Sequence, residues 1–282
     1  MTQPEQSAVW RRHSSQWRKV GPPLRPGPED ADLMMAAVAP AMRQPAETAD
    51  VVVLGVTPEL VQLPWPAHAR LHAFDHSAEM IASVWQPHPR IPSSAQQASW
   101  QHLPLPDQSV LVFVGDGSLN ALPDLSDYPD VLAEVVRLMR PGGTLCLRCF
   151  IRPDVRESLY AVAAAVAAGR VGSFHALKWR VAMAISEGPA FSVAVADIHD
   201  AFEATFPDRE RLASSTGWPV EVIGTIDAYK GTQTRYTFPT MAALKAISAP
   251  FFEVQEVLYG RYELAERCPT VRLGPARSPA AP

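Results

Sequence analysis

Gly55 and Asp75 are the residues whose types and spacing most directly suggest ligand binding, and they stand twenty residues apart. Each lies at or near the end of a short run predicted to be a strand, Val51–Thr57 and Arg70–Asp75. A glycine there lets a ligand approach the backbone, and an acid at the next strand end accepts hydrogen bonds from ribose hydroxyls. The pair indicates a ligand that contains a nucleoside, and it is compatible with both NAD and S-adenosylmethionine.

Two further features distinguish these ligands. The loop Gly55–Glu59 lacks the second and third glycines of the G-x-G-x-x-G pattern, so it could not easily cradle a pyrophosphate. The block Phe252–Leu273 predicts two strands joined by a turn, which is unusual in a dinucleotide-binding domain. Both features favour S-adenosylmethionine.

The elements that must position these residues alternate between strand and helix patterns. Short apolar runs predict buried strands, and apolar residues at helical spacing predict the helices between them. The expected strands are Val51–Thr57, Arg70–Asp75, Ser94–Ala98, Ser109–Val114 and Thr144–Ile151, with helices starting at Thr57 and over Ser77–Trp85 and Asp127–Met139. This order predicts an α/β fold with a Rossmann-like doubly wound sheet, mostly parallel with a C-terminal antiparallel hairpin, plus a helical cap insertion.

In such sheets, ligands bind beyond the carboxyl ends of the strands. We therefore expect four residues at or just past strand ends to line one crevice: Gly55, Asp75, Ser99 and Asp116.

Five motifs surround these strand ends: Val53–Leu60, Phe74–Ile81, Trp100 with Leu103–Asp107, Gly115–Asn120 and Leu138–Thr144. Taken together, they make the chain resemble the class I S-adenosylmethionine-dependent methyltransferases. The resemblance covers residues 51–151 well and residues 240–273 more loosely. It implies S-adenosyl-L-methionine as cofactor and methyl transfer as the activity.

The resemblance also implies a cofactor pocket at the strand ends. The residues implied are Gly55, Thr57, Asp75, His76, Met80, Ser99, Trp100, Gly115, Asp116, Gly117 and Ser118. Among them, Asp75 would hold the ribose hydroxyls and Trp100 would lie at the adenine edge. The family usually has an acid two residues before the first glycine, where Val53 stands here. We expect Glu59 to replace it by accepting the ammonium group of the cofactor.

The long segment after the fifth strand, residues 152–239, far exceeds the roughly 10–12 residues that a crossover needs. We expect a helical cap with helices over Ser158–Ala168, Phe174–Ile185, Ile198–Phe206 and Arg209–Thr216, followed by a hairpin of Val220–Tyr229 and Arg235–Phe238. In the resembled family, insertions here commonly build the acceptor pocket. The candidate acceptor-binding residues are Tyr160, His175, Lys178, Trp179, Arg180, Tyr229 and Tyr236.

No residue is assigned as catalytic from the sequence. A hydroxyl acceptor would need a general base, and His175 or His199 could serve, although we expect both histidines at the surface. A cluster of His, Asp and Glu is not visible, so we expect no metal.

These boundaries divide the chain into three parts. Residues 1–48 form an N-terminal helical segment with helices expected over Val9–Val20 and Pro28–Met42. Residues 49–151 and 240–275 form the cofactor-binding domain, and residues 152–239 form the inserted cap and acceptor-binding region.

Composition limits the partners. Lys and Arg total 25 against 29 Asp and Glu, a net charge of −4, so no broad basic surface indicates nucleic acid or an anionic membrane as partner. The longest apolar run, Leu159–Ala168, is shorter than the ~18 residues of a spanning helix. We expect a cytoplasmic protein that binds a small-molecule acceptor, and pairing of two chains into a homodimer through the N-terminal helices stays open. We expect Cys146, Cys149 and Cys268 to be buried and reduced, the first two on opposite faces of a strand.

Two other classes of function stay open. A nicotinamide-dependent oxidoreductase would share the glycine and acid but should show a fuller phosphate loop and a proton donor at a strand end. A non-catalytic cofactor-binding or partner-binding protein could use the same fold, because a fold does not determine function. The individual residues also have structural interpretations: Asp75 and Asp116 could cap helices, and Met80 and Trp100 could belong to the core.

Overall fold

The computed structural model describes residues 20–43 and 48–276. Its strands in chain order are β1 (Ala49–Leu54), β2 (Ala69–Asp75), β3 (Ser93–Gln97), β4 (Val110–Asp116), β5 (Met139–Arg148), β6 (Ser192–Ala194), β7 (Arg235–Thr237), β8 (Phe252–Leu258) and β9 (Thr270–Pro275). Seven of them form one sheet in the order β3-β2-β1-β4-β5-β9-β8.

The central sheet has the expected Rossmann-like, mostly parallel form. Strands β1 to β5 pair in parallel, β9 pairs antiparallel with β5, and β8 pairs antiparallel with β9. The chain order reverses direction at β1 and β4, so the carboxyl ends of these two strands open a crevice for a ligand. The predicted C-terminal antiparallel hairpin is confirmed.

The helices lie on both faces of this sheet and above its carboxyl edge. They are α1 (Pro28–Met42), α2 (Pro58–Val61), α3 (Ala78–Val84), α4 (Tyr128–Leu138), α5 (Leu159–Ala167), α6 (Phe174–Ile185), α7 (Val195–Thr205), α8 (Arg209–Thr216), α9 (Val220–Ile223) and α10 (Met241–Ser248). Short 3₁₀ turns cover Leu119–Ala121, Leu125–Asp127, Gly224–Tyr229 and Ala265–Arg267. The helix expected over Val9–Val20 lies, except for Val20, outside the described residues.

Strand alternation gives the sheet two cores. Val51 and Val53 pack in a cluster with residues of α1, α2 and α3, whereas Val52 and Leu54 pack in a second cluster with α4 and α10. Neighbouring side chains of a strand point to opposite faces, which explains why an uninterrupted apolar run fills both cores. Cys146 lies in the first cluster and Cys149 in the second; both thiols, and that of Cys268, are buried and free.

Residues 152–239 contribute most of a third core. Side chains from α6, α7 and the 3₁₀ turn Gly224–Tyr229 pack together there with Phe150 and Cys268. Ser173 caps α6, because its hydroxyl accepts a hydrogen bond from Ala176 N. This core holds α6 above the crevice.

The hairpin predicted from Val220–Tyr229 and Arg235–Phe238 is wrong. Residues 220–229 form α9 and a 3₁₀ turn, and β7 pairs antiparallel with β6. Ile223 and Ile226 are fully buried three residues apart, as one face of a helical turn requires. The apolar residues of this stretch alternate as in a strand, but the stretch is too short to distinguish the strand period of about 2 residues from the helical period of about 3.6.

Every helix in residues 20–43 and 48–276 is too short or too polar to cross a membrane.

Candidate active site

A cavity opens at the carboxyl edge of the sheet, beneath α6 and the turn Gly224–Tyr229. It encloses about 1110 Å³ of space, including its open mouth. Twelve of the residues proposed from the sequence line it: Gly55, Thr57, Asp75, Met80, Trp100, Asp116, Gly117, Ser118, Lys178, Trp179, Tyr229 and Tyr236. The two proposed groups of residues thus meet in one space.

Gly55 leaves room for a ligand at the end of β1. Its φ of +108° lies in a region that L side chains rarely adopt. A methyl group on Gly55 would lie 3.9 Å from Asp75 Oδ2 and 3.9 Å from Trp100 Cζ2, in the space between them. Any larger side chain would fill this part of the cavity.

Asp75 ends β2 with one carboxylate oxygen held by the protein. Its Oδ1 accepts a hydrogen bond from Ser77 N at 2.9 Å and lies 3.7 Å from His76 Nδ1, while Oδ2 faces Gly55. Burial raises the pKa of Asp75, partly offset by the Ser77 N–H and by His76. The fixed Oδ1 orients the carboxylate, so its Oδ2 is available to donors in the cavity.

Trp100 lines both this cavity and a second one. Its indole Nε1 donates to Phe74 O at 2.6 Å, which fixes the ring beside the end of β2. The second cavity is lined by Asp75, His76, Ser99 and Trp100, among other residues. His76 and Ser99 therefore line the second cavity and not the first.

The loop after β4 is held by close packing that explains its glycines. Ser118 Oγ donates to Leu54 O at 2.6 Å, which ties the loop to β1. A Cβ on Gly117 would lie 2.5 Å from Phe150 Cε2, and one on Gly115 would clash with Ser118 Oγ. Gly115 does not line the cavity. The Ser118 hydroxyl has a structural partner.

Asp116 belongs to a buried cluster of charges. Its Oδ1 accepts from Arg148 Nη1 at 2.7 Å, and Arg148 Nε lies 3.0 Å from Asp30 Oδ1. Burial raises the pKa of Asp116 to about 6, partly offset by Arg148. Asp30 also accepts from Tyr262 OH at 2.6 Å and from Gly27 N at 2.8 Å at the start of α1.

This cluster was not found from the sequence. Arg148 is 1% exposed and also donates to Pro23 O at 2.6 Å, so it connects β5 to the N-terminal segment. An arginine inside the apolar run Thr144–Ile151 was the available signal, because such a charge is rarely buried without a partner.

Glu59 lies outside the cavity lining, in contact with the N-terminal segment. Its Oε1 accepts from Arg25 Nε at 3.0 Å and forms an ion pair with the same guanidinium. Its Oε2 is buried and has no hydrogen-bond partner among the described residues. Thr57 occupies the N-cap position of α2 without a side-chain capping bond.

Lys178 and three aromatic residues form the end of the cavity under α6. Lys178 is 2% exposed, and its Nζ lies 4.6 Å from the ring centroid of Tyr229. Burial alone lowers the pKa of Lys178 to about 7. Trp179 packs edge-on against Tyr236, with ring centroids 5.9 Å apart. Its buried Nε1 has no acceptor among the described residues.

Four candidate residues lie away from the cavity. His175 and His199 are buried, 7% and 6% exposed, so the expectation that they lie at the surface is wrong. Neither lines the cavity, and His199 Nδ1 lies 2.9 Å from Asp200 Oδ1. Tyr160 is 84% exposed, and Arg180 forms an ion pair with Glu157. Apolar surroundings in the sequence did not reveal which helix face points toward the sheet.

Within residues 20–43 and 48–276, no group of three or more His, Cys, Asp and Glu side chains is arranged to hold a metal ion.

A family model described as "Methyltransferase domain" matches residues 52–147. This segment runs from β1 to β5 and includes Gly55, Asp75, Trp100 and Asp116. Residues 52–147 form a class I S-adenosylmethionine-dependent methyltransferase domain. S-adenosylmethionine is the cofactor of this domain. A search of curated proteins gave no match to the sequence.

Two solved structures share the fold of this chain. The CcbJ methyltransferase from Streptomyces caelestis is 14% identical, with a TM-score of 0.56 over 96% of this chain and 99% of its own. A Rhodobacter sphaeroides protein described as a zinc-dependent alcohol dehydrogenase is 10% identical, with a TM-score of 0.62 over 97% of this chain and 100% of its own. Identities this low show a common fold and do not transfer a reaction.

Proposed function

We propose that the protein transfers the methyl group of S-adenosylmethionine to a small-molecule acceptor bound under α6. One observation carries this proposal: the residues at the ends of β1, β2 and β4 and the residues of the inserted segment line the same cavity. A methyl donor and its acceptor must meet in line and away from water, because fixed orientation supplies much of the rate enhancement. This cavity offers a place for both.

The cofactor end of the cavity fits S-adenosylmethionine. The Asp75 Oδ2 faces the cavity and suits the ribose hydroxyls, and Gly55 leaves open the space that a Cβ would fill. The second cavity, which shares Asp75 and Trp100 with the first, suits the adenine, with His76 and Ser99 on its walls. When bound, the cofactor supplies an activated methyl group on a sulfonium.

Asp116 supports this placement through charge. Arg148 is buried between two carboxylates, Asp116 and Asp30, so the cluster favours an additional positive charge nearby. S-adenosylmethionine carries both an ammonium and a sulfonium. We propose that Asp116 stabilises the bound cofactor by this charge, while Glu59 in α2, outside the cavity lining, supplies the same sign of charge.

Calorimetric titration with S-adenosylhomocysteine tests the cofactor site, with NADH as a parallel ligand. We expect micromolar binding of S-adenosylhomocysteine and a roughly 10- to 100-fold weaker affinity for Asp75→Asn, since a hydrogen bond to a charged group contributes about 1.5–3 kcal/mol. The exposed Asp154 gives the matched control Asp154→Asn, which should bind normally.

Other outcomes would contradict the proposal. Binding of NADH alone would favour a nicotinamide-dependent oxidoreductase. If neither ligand binds, the result would favour a protein without a cofactor. If the Asp75→Asn and Asp154→Asn variants bind S-adenosylhomocysteine with equal affinity, the cofactor site would not include Asp75.

A further inference from the structure

Lys178 is a buried amine without a counter-ion at the acceptor end of the cavity. No ion pair among the described residues includes it, and its Nζ lies 4.6 Å from the ring centroid of Tyr229 and 5.9 Å from that of Phe174. A lysine is almost never fully buried unless it is paired. An unpaired one in a cavity wall is therefore best explained by a ligand that carries the opposite charge.

The groups that face Lys178 leave its charge unmatched. Tyr229 and Tyr236 stay neutral at ordinary pH, because burial raises the pKa of both hydroxyls above their usual value. Of the two carboxylates that line the cavity, Asp116 is paired with Arg148, and Asp75 accepts a hydrogen bond from Ser77 N at the end of β2. Burial is the sole cause of the lowered pKa of Lys178, so neither histidine nor carboxylate acts on it appreciably.

The walls around Lys178 are aromatic. Trp179 makes edge-to-face contacts with Phe150 at 5.1 Å and with Phe238 at 5.2 Å between ring centroids. Tyr229 and Tyr236 make a similar contact at 6.4 Å. All five residues line the cavity. Such rings pack favourably against another flat ring, edge-on or offset.

We propose that the methyl acceptor is a small aromatic molecule with an acidic hydroxyl group, and that Lys178 binds this hydroxyl as its anion and takes its proton. This inference rests on the proposed function. Lys178 would then be a catalytic residue, because its amine touches the reacting oxygen.

The proposed reaction is balanced without a further reagent. The hydroxyl proton moves to the Lys178 amine, which leaves an aryl oxide beside an ammonium. A lone pair of this oxygen forms the new O–C bond, the S–C bond of the sulfonium breaks, and its electron pair stays on sulfur. The products are an aryl methyl ether, S-adenosylhomocysteine and a protonated Lys178, which returns its proton to the solvent.

4-Nitrophenol tests this inference, because its anion absorbs visible light and its protonated form does not. The probe is titrated with the full-length protein saturated with S-adenosylhomocysteine, at a pH where the free probe is mostly protonated. We expect the ionised fraction of the bound probe to rise roughly tenfold or more, since a cation within ~4–6 Å lowers the pKa of an acid by about 1–3.

The variant Lys178→Met should bind the probe without the visible band, and Lys245→Met, at an exposed lysine, should behave as wild type. 4-Nitroanisole has the same ring without an acidic hydroxyl and should bind at least about tenfold more weakly to the wild type, because it lacks the charge that Lys178 matches. Binding of S-adenosylhomocysteine to each variant shows that the protein is folded.

The two proposals fail in different ways. If S-adenosylhomocysteine binds but the bound probe stays protonated, or if Lys178→Met keeps the visible band, the inference on Lys178 is overturned and the methyltransferase proposal stands. If S-adenosylhomocysteine does not bind, the methyltransferase proposal fails. The probe titration of the protein alone then still decides whether Lys178 ionises a bound hydroxyl.

Discussion

Replacing Lys178 by methionine should make the empty protein more stable, although it should remove the proposed activity. Lys178 is 2% exposed in an aromatic cavity wall, and no carboxylate of the described residues forms an ion pair with it. Methionine has nearly the same length and no charge to bury. The variant therefore removes an electrostatic cost and keeps most of the packing of α6.

The magnitude follows from the pKa of Lys178, which burial lowers from 10.5 to about 7. At about 1.36 kcal/mol per pH unit, this interval corresponds to roughly 5 kcal/mol of destabilisation when the lysine is charged in the folded protein. The cost is present in full below about pH 7. Between about pH 7 and 10.5 the unfolded chain keeps a proton that the folded protein has lost, so unfolding binds a proton and wild-type stability rises with pH.

Urea unfolding at a series of pH values measures this effect. We expect Lys178→Met to exceed wild type by several kcal/mol at about pH 6, and the difference to shrink steadily as the pH rises above about 7. Lys245→Met, at an exposed position on α10, should show no comparable dependence on pH. A difference that stays below about 1 kcal/mol at low pH, or one that does not vary with pH, would refute the assignment of Lys178 as an unpaired buried amine.

Two further substitutions test the packing of the site. Gly117→Ala should lower the free energy of unfolding, measured in urea, by about 2–4 kcal/mol, because φ is +61° and the new Cβ would lie 2.5 Å from Phe150. Gly188→Ala has a similar φ of +68° but open space around the Cβ, so it should cost only about 1–2 kcal/mol. Equal losses in the two variants would contradict the close contact with Phe150. Arg148→Met should lower the free energy of unfolding by about 3–5 kcal/mol, because it leaves Asp30 and Asp116 buried without their partner. The matched change Arg156→Met, which breaks an exposed ion pair with Glu187, should cost about 0–1 kcal/mol. A small loss for Arg148→Met would show that water reaches the buried cluster.

The sheet could be predicted from the sequence because its strands are short and apolar on both faces. The helix bounds expected over Pro28–Met42, Phe174–Ile185 and Arg209–Thr216 agree with α1, α6 and α8. Capping residues and a positive-φ glycine, Gly217 after α8, mark these ends in the sequence. Local sequence signals were sufficient to predict a strand or helix wherever the elements it packs against are close along the chain.

The site could be predicted only in part, because its completion depends on contacts between distant segments. Val20 and Leu24 line the cavity, and Asp30 reaches Arg148 across more than a hundred residues of sequence. No spacing rule relates such positions. The same limit explains why Lys178 was one candidate among several, since its burial is decided by Tyr229 and by the packing of α6 on the sheet.

The charges of the cavity fit the course of the proposed reaction. A sulfonium and an aryl oxide carry opposite charges, and methyl transfer converts them into a neutral thioether and a neutral ether. Charge is therefore lost on the way to the products, and a poorly solvating cavity favours this change relative to water. Lys178 lies beside a neutral oxygen once the ether has formed, so its pKa falls back toward about 7, the value that burial gives the empty site. At neutral pH its proton is then readily lost to solvent, and the amine is ready for the next acceptor without a dedicated proton relay.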